Sequence, residues 1–339
     1  MKSTIREVLL AACLTALSPL AANASLHTLS NLFVFGDSLS DGGNYNRPPD
    51  AAYPLSVYPP PPYAGSRYSN GPTAVEYLWQ SFNPANPAGF KPSNQGGTNY
   101  ALGGATTGTF NFNFINPPTP DPIRPYFLGE GGIANQVAQF AGSCTNCFAP
   151  ASSLFVVWGF PNDVFSNALF ALSPSDLIDA GIKNILKAIQ TLAGEGATHF
   201  LVPNMPDLGA TPAFRGGPNA ADLTALTQGF NAFLASSLTL LDQALPGEIV
   251  QFDTYSTVQR VMQSPSTYGI ANATQQCVQH LLDSQCNPNT WLFWDGVHPT
   301  TAGHRLLGEQ FAAAVPEPAT LALLALGLLG IAASRRRRA

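Results

Sequence analysis

Ser38, Asp295 and His298 are the residues whose types and settings could carry covalent chemistry in this chain. Ser38 lies in Phe35-Gly36-Asp37-Ser38-Leu39-Ser40-Asp41, where an apolar run breaks at a glycine and a serine follows at once. A strand ending there would put Ser38 past its carboxyl end, where open α/β sheets form ligand sites. A hydroxyl alone is a weak nucleophile, and a serine in such a place equally well caps a helix. The base is offered by Trp294-Asp295-Gly296-Val297-His298-Pro299. A carboxylate three residues before an imidazole can reach Nδ1, fix the tautomer and leave Nε2 to take a proton from the serine. Read alone, a histidine near a helix start is a surface or capping residue. Among the five histidines, His27 and His304 lack a comparable partner, and His199 falls in a strand. His280 beside Asp283 repeats the spacing without the strand-end setting.

An attacked carbonyl develops an oxyanion that needs hydrogen-bond donors. Asn99-Tyr100-Ala101-Leu102-Gly103-Gly104-Ala105 is a glycine-rich turn whose backbone N–H groups can point into a site, or a plain turn. Gly159-Phe160-Pro161-Asn162-Asp163 follows a second apolar run, and Asn162 offers a side-chain N–H, or a helix cap or Asx turn.

The elements that must hold these residues are legible. Short apolar runs at Leu32–Phe35, Leu154–Trp158, His199–Val202 and Ile249–Phe252 read as strands buried on both faces, with a short fifth near Asn99–Ala101. Between them, Leu177 to Ile189 and Leu223 to Leu241 repeat at helical spacing, the first capped by Ser175 and stopped by Gly194. A last helix follows Pro299-Thr300. Strand–helix alternation predicts one α/β domain, a three-layer α/β/α sandwich around a parallel sheet of about five strands. Residues 44–70 and 106–130, rich in Pro and Phe, read as long binding loops.

Between residues 25 and 315 there are 9 Lys and Arg against 18 Asp and Glu, a net −9 that makes nucleic acid a poor partner. Residues 1–24 read as a secretory signal: Lys2 and Arg6, an apolar stretch from Val8 to Leu20, then Ala22-Asn23-Ala24. Leu10-Ala11-Ala12-Cys13 is a rival lipoprotein box behind a very short apolar run. The body is residues 25–314, and residues 315–339 form a tail: Val315-Pro316-Glu317-Pro318, an apolar run over 319–333, and Arg335 to Arg338. That run is shorter than the ~20 residues that comfortably span a bilayer, and the arginines would stay cytoplasmic. Four cysteines remain after Cys13. Local pairs Cys144–Cys147 and Cys277–Cys286 are the expected disulfides of an exported protein, although four cysteines allow three pairings. A four-cysteine zinc site wants two tight knuckles, and the second spacing is too wide.

Together these blocks resemble the SGNH, or GDSL, hydrolase superfamily, and within it the secreted bacterial lecithinase/haemolysin-like esterases and lipases. Gly36-Asp37-Ser38-Leu39 with Asp41, Asn99 to Ala105, Asn162-Asp163 and Asp295-Gly296-Val297-His298 come in the family's order, and the likeness extends over nearly all of residues 30–314. The resemblance implies a flavodoxin-like sheet and an esterase, lipase or phospholipase that forms an acyl-serine. It makes Ser38 the nucleophile, His298 the base and Asp295 its partner. The oxyanion donors would be the N–H groups of Ser38 and Gly104 and the Asn162 side chain. The substrate would be a small-molecule or lipid ester, with no cofactor and no metal. One departure stands out: the family has Gly two places before the Asn, where this chain has Phe160. The tail resembles the PEP-CTERM sorting signal of Gram-negative bacteria. That implies signal peptidase and exosortase as processing partners, transient membrane contact through 319–333, and an exported, cell-surface or extracellular protein. Rival readings are a metal phosphoesterase using Asp37, Asp41, Asn162 and His298, an acyltransferase, and a surface binding module with a dead site.

Overall fold

The computed structural model describes residues 29–44, 58–114 and 131–315. The signal reading at 1–24, the tail at 315–339 beyond its first residue, and parts of both long loops lie outside the described residues.

Four parallel strands form the sheet: β1 (Asn31–Gly36), β2 (Ser153–Trp158), β3 (His199–Pro203) and β4 (Glu248–Phe252), in that spatial order. The expected fifth strand is reduced to a single parallel bridge between Asn99 and Val34 on the free side of β1. Tyr100 N–H and Leu102 N–H still donate to Val34 and Gly36 carbonyls at 2.8 and 3.0 Å. On its other side Asn99 N–H donates to the Lys91 carbonyl, and the chain turns again at Gly103. The sheet therefore has four strands rather than about five, but the order of segments is unchanged. The chain runs from β1 to one side, then returns to the other side as β2. Ser38 sits at that topological switch point.

Side chains alternate across β1 and β2. Phe33, Phe35, Phe155 and Val157 face a core shared with α2 (Ile133–Ser143), α4 (Pro174–Gly194) and α5 (Ala220–Ala244). On the opposite face, Trp158 and Phe252 meet Phe311 of α7 (Thr301–Ala314) edge-on, at ring separations of 5.4 and 4.7 Å. Helix α7 packs against α1 (Ala74–Phe82). The α/β/α sandwich follows. Phe311 is fully buried, so its truncation to alanine costs about 3–5 kcal/mol.

The cap of α4 is Ser173, not Ser175. Pro174 occupies the first helical position, and Ser173 Oγ accepts from Asp176 N–H at 3.2 Å. Helices α1, α2, α3 (Pro161–Phe170) and α6 (Thr254–Gln263) lie outside the periodic segments of the sequence. Nor was the second sheet, a parallel pair of β5 (Asn272–Gln276) and β6 (Trp291–Phe293). The cysteines pair locally, Cys144 with Cys147 and Cys277 with Cys286. Among the described residues no helix is long and apolar enough to cross a membrane, and the run at 319–333 lies outside them.

Candidate active site

Strand β1 is pinned where it ends. The Gln136 amide donates to the Gly36 carbonyl at 2.9 Å and accepts from the Gly36 N–H at 2.8 Å, both buried. The chain then turns tightly, with Ser40 and Asp41 N–H groups donating to the Asp37 carbonyl. A β-carbon on Gly36 would fall 2.6 Å from the Trp158 carbonyl oxygen, so only glycine lets the turn start there. Ser38 is left at the rim of a cavity, 8 % exposed.

The partner loop is held by β6. Trp294 N–H donates to the His298 carbonyl at 2.8 Å, and Thr300 N–H to that of Leu292 at 2.9 Å, closing a tight turn. Inside it Asp295 Oδ1 accepts from the Val297 and His298 N–H groups at 2.9 and 2.8 Å. The imidazole Nδ1 lies 2.9 and 2.8 Å from the two carboxylate oxygens. Its Nε2 lies 2.7 Å from Ser38 Oγ, across 260 residues of chain. Burial works against ionisation of both groups, yet their mutual charge holds Asp295 below the usual carboxylate range and lifts His298 above the usual imidazole range.

Facing Ser38 is the glycine turn. Asp41 Oδ2 accepts from Gly103 N–H at 2.9 Å, and its other oxygen takes the Gly43 and Asn44 N–H groups. Gly104 has φ +82°, and a β-carbon there would crowd the Asn111 and Asn113 side chains. Gly103 could not carry one either, because it would meet the Tyr68 ring. Asn162 begins α3. Its Nδ2 donates to the Ala105 carbonyl at 3.0 Å and lies 3.4 Å from Asp37 Oδ2, turned toward the cavity. Asp163 behind it accepts from Thr107 N–H and Oγ at 2.9 and 2.6 Å, tying α3 to the glycine turn. Ser38, Gly104, Asn162, Asp295 and His298 all line one cavity.

The Phe160 departure has a structural answer. Phe160 adopts φ +121°, the conformation glycine would take without strain. Its ring is fully buried and stacks on Phe230 at 3.9 Å, so packing holds the backbone path that leads into Asn162.

Burial raises the Asp37 carboxyl to about 7, and those of Asp41 and Asp163 to about 6. The set Asp37, Asp41, Asn162 and His298 does not gather as metal ligands. Asp41 is occupied by three backbone N–H groups, and no metal-holding cluster occurs among the described residues. His304 is buried, with its Nδ1 accepting from Ala74 N–H at 3.2 Å, so it joins α7 to α1.

The cavity, about 470 Å³, is lined by Tyr58, Tyr63 and Tyr68 and by Phe112 and Phe165. Sequence reading gave no role to Tyr63 or Gln136, and a lone Tyr after four prolines or a lone Gln in a helix carries no signal of one.

The GDSL-like Lipase/Acylhydrolase family model matches residues 32–311, and the PEP-CTERM protein-sorting motif matches residues 314–338. An uncharacterized protein from the trpE-trpG intergenic region of Pseudomonas putida is 29% identical over 87% of this chain and 50% of its own length. GDSL esterase/lipase 6 of Arabidopsis thaliana is 26% identical over 91% of this chain and 93% of its own. Esterase EstA of Pseudomonas aeruginosa is 27% identical over 93% and 51%. The chain spans about half the length of the two Pseudomonas relatives. Among solved structures, a catalytic mutant of an acetylxylan esterase from Geobacillus stearothermophilus aligns with a TM-score of 0.45 at 11% identity, covering 86% of this chain and 95% of that one.

Proposed function

The chain belongs to the GDSL-like lipase/acylhydrolase family, whose members are serine ester hydrolases, and from that premise we propose how this chain cleaves its ester. His298 Nε2 takes the proton of Ser38 Oγ as the oxygen attacks the ester carbonyl. The new imidazolium is held by the Asp295 carboxylate. The carbonyl oxygen, now an anion, accepts from the N–H groups of Ser38 and Gly104 and from Asn162 Nδ2, at about 2.7–4 kcal/mol for one such donor. Collapse expels the alcohol, which leaves with the proton from His298 Nε2. Water repeats the sequence on the acyl-serine and releases the acid. The observation that carries this reading is the 2.7 Å contact of Ser38 Oγ with His298 Nε2 in a wall of the largely apolar cavity.

The aromatic walls suit an uncharged ester with an apolar acyl or alcohol part. The tail makes this an exported protein sorted toward the cell surface. The signal peptide is removed after Ala24. The run at 319–333 then holds the chain in the inner membrane until an exosortase-type enzyme cuts the tail. A mature mass that retains Arg335 to Arg338 would contradict that processing. The catalytic reading is tested with short p-nitrophenyl esters: Ser38→Ala is expected to lose turnover with its fold unchanged, and a folded, active variant would remove the mechanism.

A further inference from the structure

The Asp295 carboxylate has a fourth donor that the mechanism above does not use. Tyr63 Oη donates to Asp295 Oδ2 at 2.8 Å. Oδ1 accepts from two backbone N–H groups and also meets the imidazole, whereas among the described residues Oδ2 meets the imidazole and this phenol. The contact is built into the fold. The Tyr63 ring stands edge-on to Trp294 at 6.1 Å, and Tyr63 N–H donates to the Pro60 carbonyl. Its segment is fastened to the loop that carries His298 at two points. Ser69 Oγ donates to the Pro299 carbonyl, and Thr301 N–H donates to Asn70 Oδ1, each at 2.9 Å. An Arg67–Glu76 ion pair ties the same segment to α1, where Glu76 also caps Thr73.

We propose that Tyr63 is a positioning residue that acts through Asp295 on His298, locking the second carboxylate oxygen against Nδ1 and setting the basicity of Nε2; this rests on the Ser38–His298 reading. A carboxylate shut away from water holds its place and its charge only as well as its donors allow. The backbone N–H groups hold Oδ1, and without the phenol the mobile imidazole alone would restrain Oδ2, so the carboxylate would keep freedom to turn about Oδ1. The phenol removes that freedom and draws charge from the oxygen nearest the ring. Burial and the neighbouring carboxylate hold the phenol well above its ordinary range, so it stays protonated and donates. The other groups facing His298 are Asp37 from the β1 turn, His304 from α7 and the Tyr68 ring at 5.2 Å. None of them touches Oδ2.

The test is kcat and KM for p-nitrophenyl butyrate against pH, on the full chain and on its Tyr63→Phe and Ser38→Ala variants. Tyr63→Phe is expected to lower kcat about tenfold, as loss of one hydrogen bond to a charged group allows, with KM little changed. The acidic limb of kcat/KM should move to higher pH, because an Asp295 carboxylate with less of its charge drawn off stabilises the imidazolium more. An unchanged kcat and limb, or a rise in KM alone, would overturn the proposal and leave the catalytic triad standing. An active Ser38→Ala protein would instead overturn the triad itself. If Tyr63→Phe does not fold, difluorotyrosine placed at position 63 keeps the shape and donates more strongly. It should move the same limb to lower pH, and an unmoved limb refutes the role.

Discussion

Two histidine–carboxylate pairs in this molecule share the same spacing and nearly the same bond length. Asp295 and His298 meet at 2.8 Å, and His280 and Asp283 meet at 2.9 Å, both three residues apart. Their settings differ. The first pair has side chains 14% and 15% exposed, in a turn braced by β6, with Ser38 on the far nitrogen. The second is 25% and 43% exposed, in a loop between Cys277 and Cys286, with the Trp291 ring 5.5 Å away. Three-residue spacing makes a pair. Only a turn delivered to the carboxyl end of β1 gives that pair the setting of a base, because a proton acceptor needs a donor hydroxyl at hydrogen-bond distance.

Full truncation separates the two pairs most. His298→Ala should lower kcat by about a millionfold, as removal of a triad member does, whereas His280→Ala should leave steady-state turnover of a p-nitrophenyl ester unchanged. Comparable losses from both would erase the distinction. Asp295→Asn is the next largest, a fall in kcat of about 10⁴, with Asp283→Asn again silent. In any residual activity the acidic limb of kcat/KM should also drop. In the native protein the carboxylate lifts His298, so the base works only once pH rises past that raised value. Asn162→Ala then separates the oxyanion from the base. It should cost about 10²–10³ in kcat and leave fluorophosphonate labelling of Ser38 detectable.

The smallest effect concerns stability. Asp37 is buried beside Ser38 and has its carboxyl raised to about 7. A raised carboxyl binds its proton more tightly in the folded chain than in the unfolded one, so its contribution is most favourable below about 3.8 and is lost as pH climbs to about 7. Asp37→Asn should therefore gain melting temperature over the native protein between those values, with the gain levelling off above. No such trend should follow Asp283→Asn.

Much of this was legible in the sequence. Leu32–Phe35 and Leu154–Trp158 are continuous apolar runs, and such runs at strand length leave little else for a parallel sheet. Ser38, Asp295, His298, the glycine turn and Asn162 are candidates by type and setting, and the family blocks assign their roles and single out Gly104. The rest depended on contacts the sequence does not carry. The segment at Asn99 reads as a strand, but the chain turns at Gly103 and its pairing with β1 is a single bridge to Val34. Ser175 looked like a cap until Pro174 moved the helix start. Phe160 looked like a disturbance, yet stacking on Phe230 holds it at a positive φ. Tyr63 meets Asp295 only because a segment 232 residues earlier folds back onto the β6 turn.

Fluorophosphonate labelling followed by peptide mass analysis tests the central claim most directly. The adduct is predicted on Ser38 in the native protein and in His280→Ala, and is predicted to vanish in His298→Ala. An adduct on another residue, or labelling undiminished without the His298 imidazole, would contradict the account.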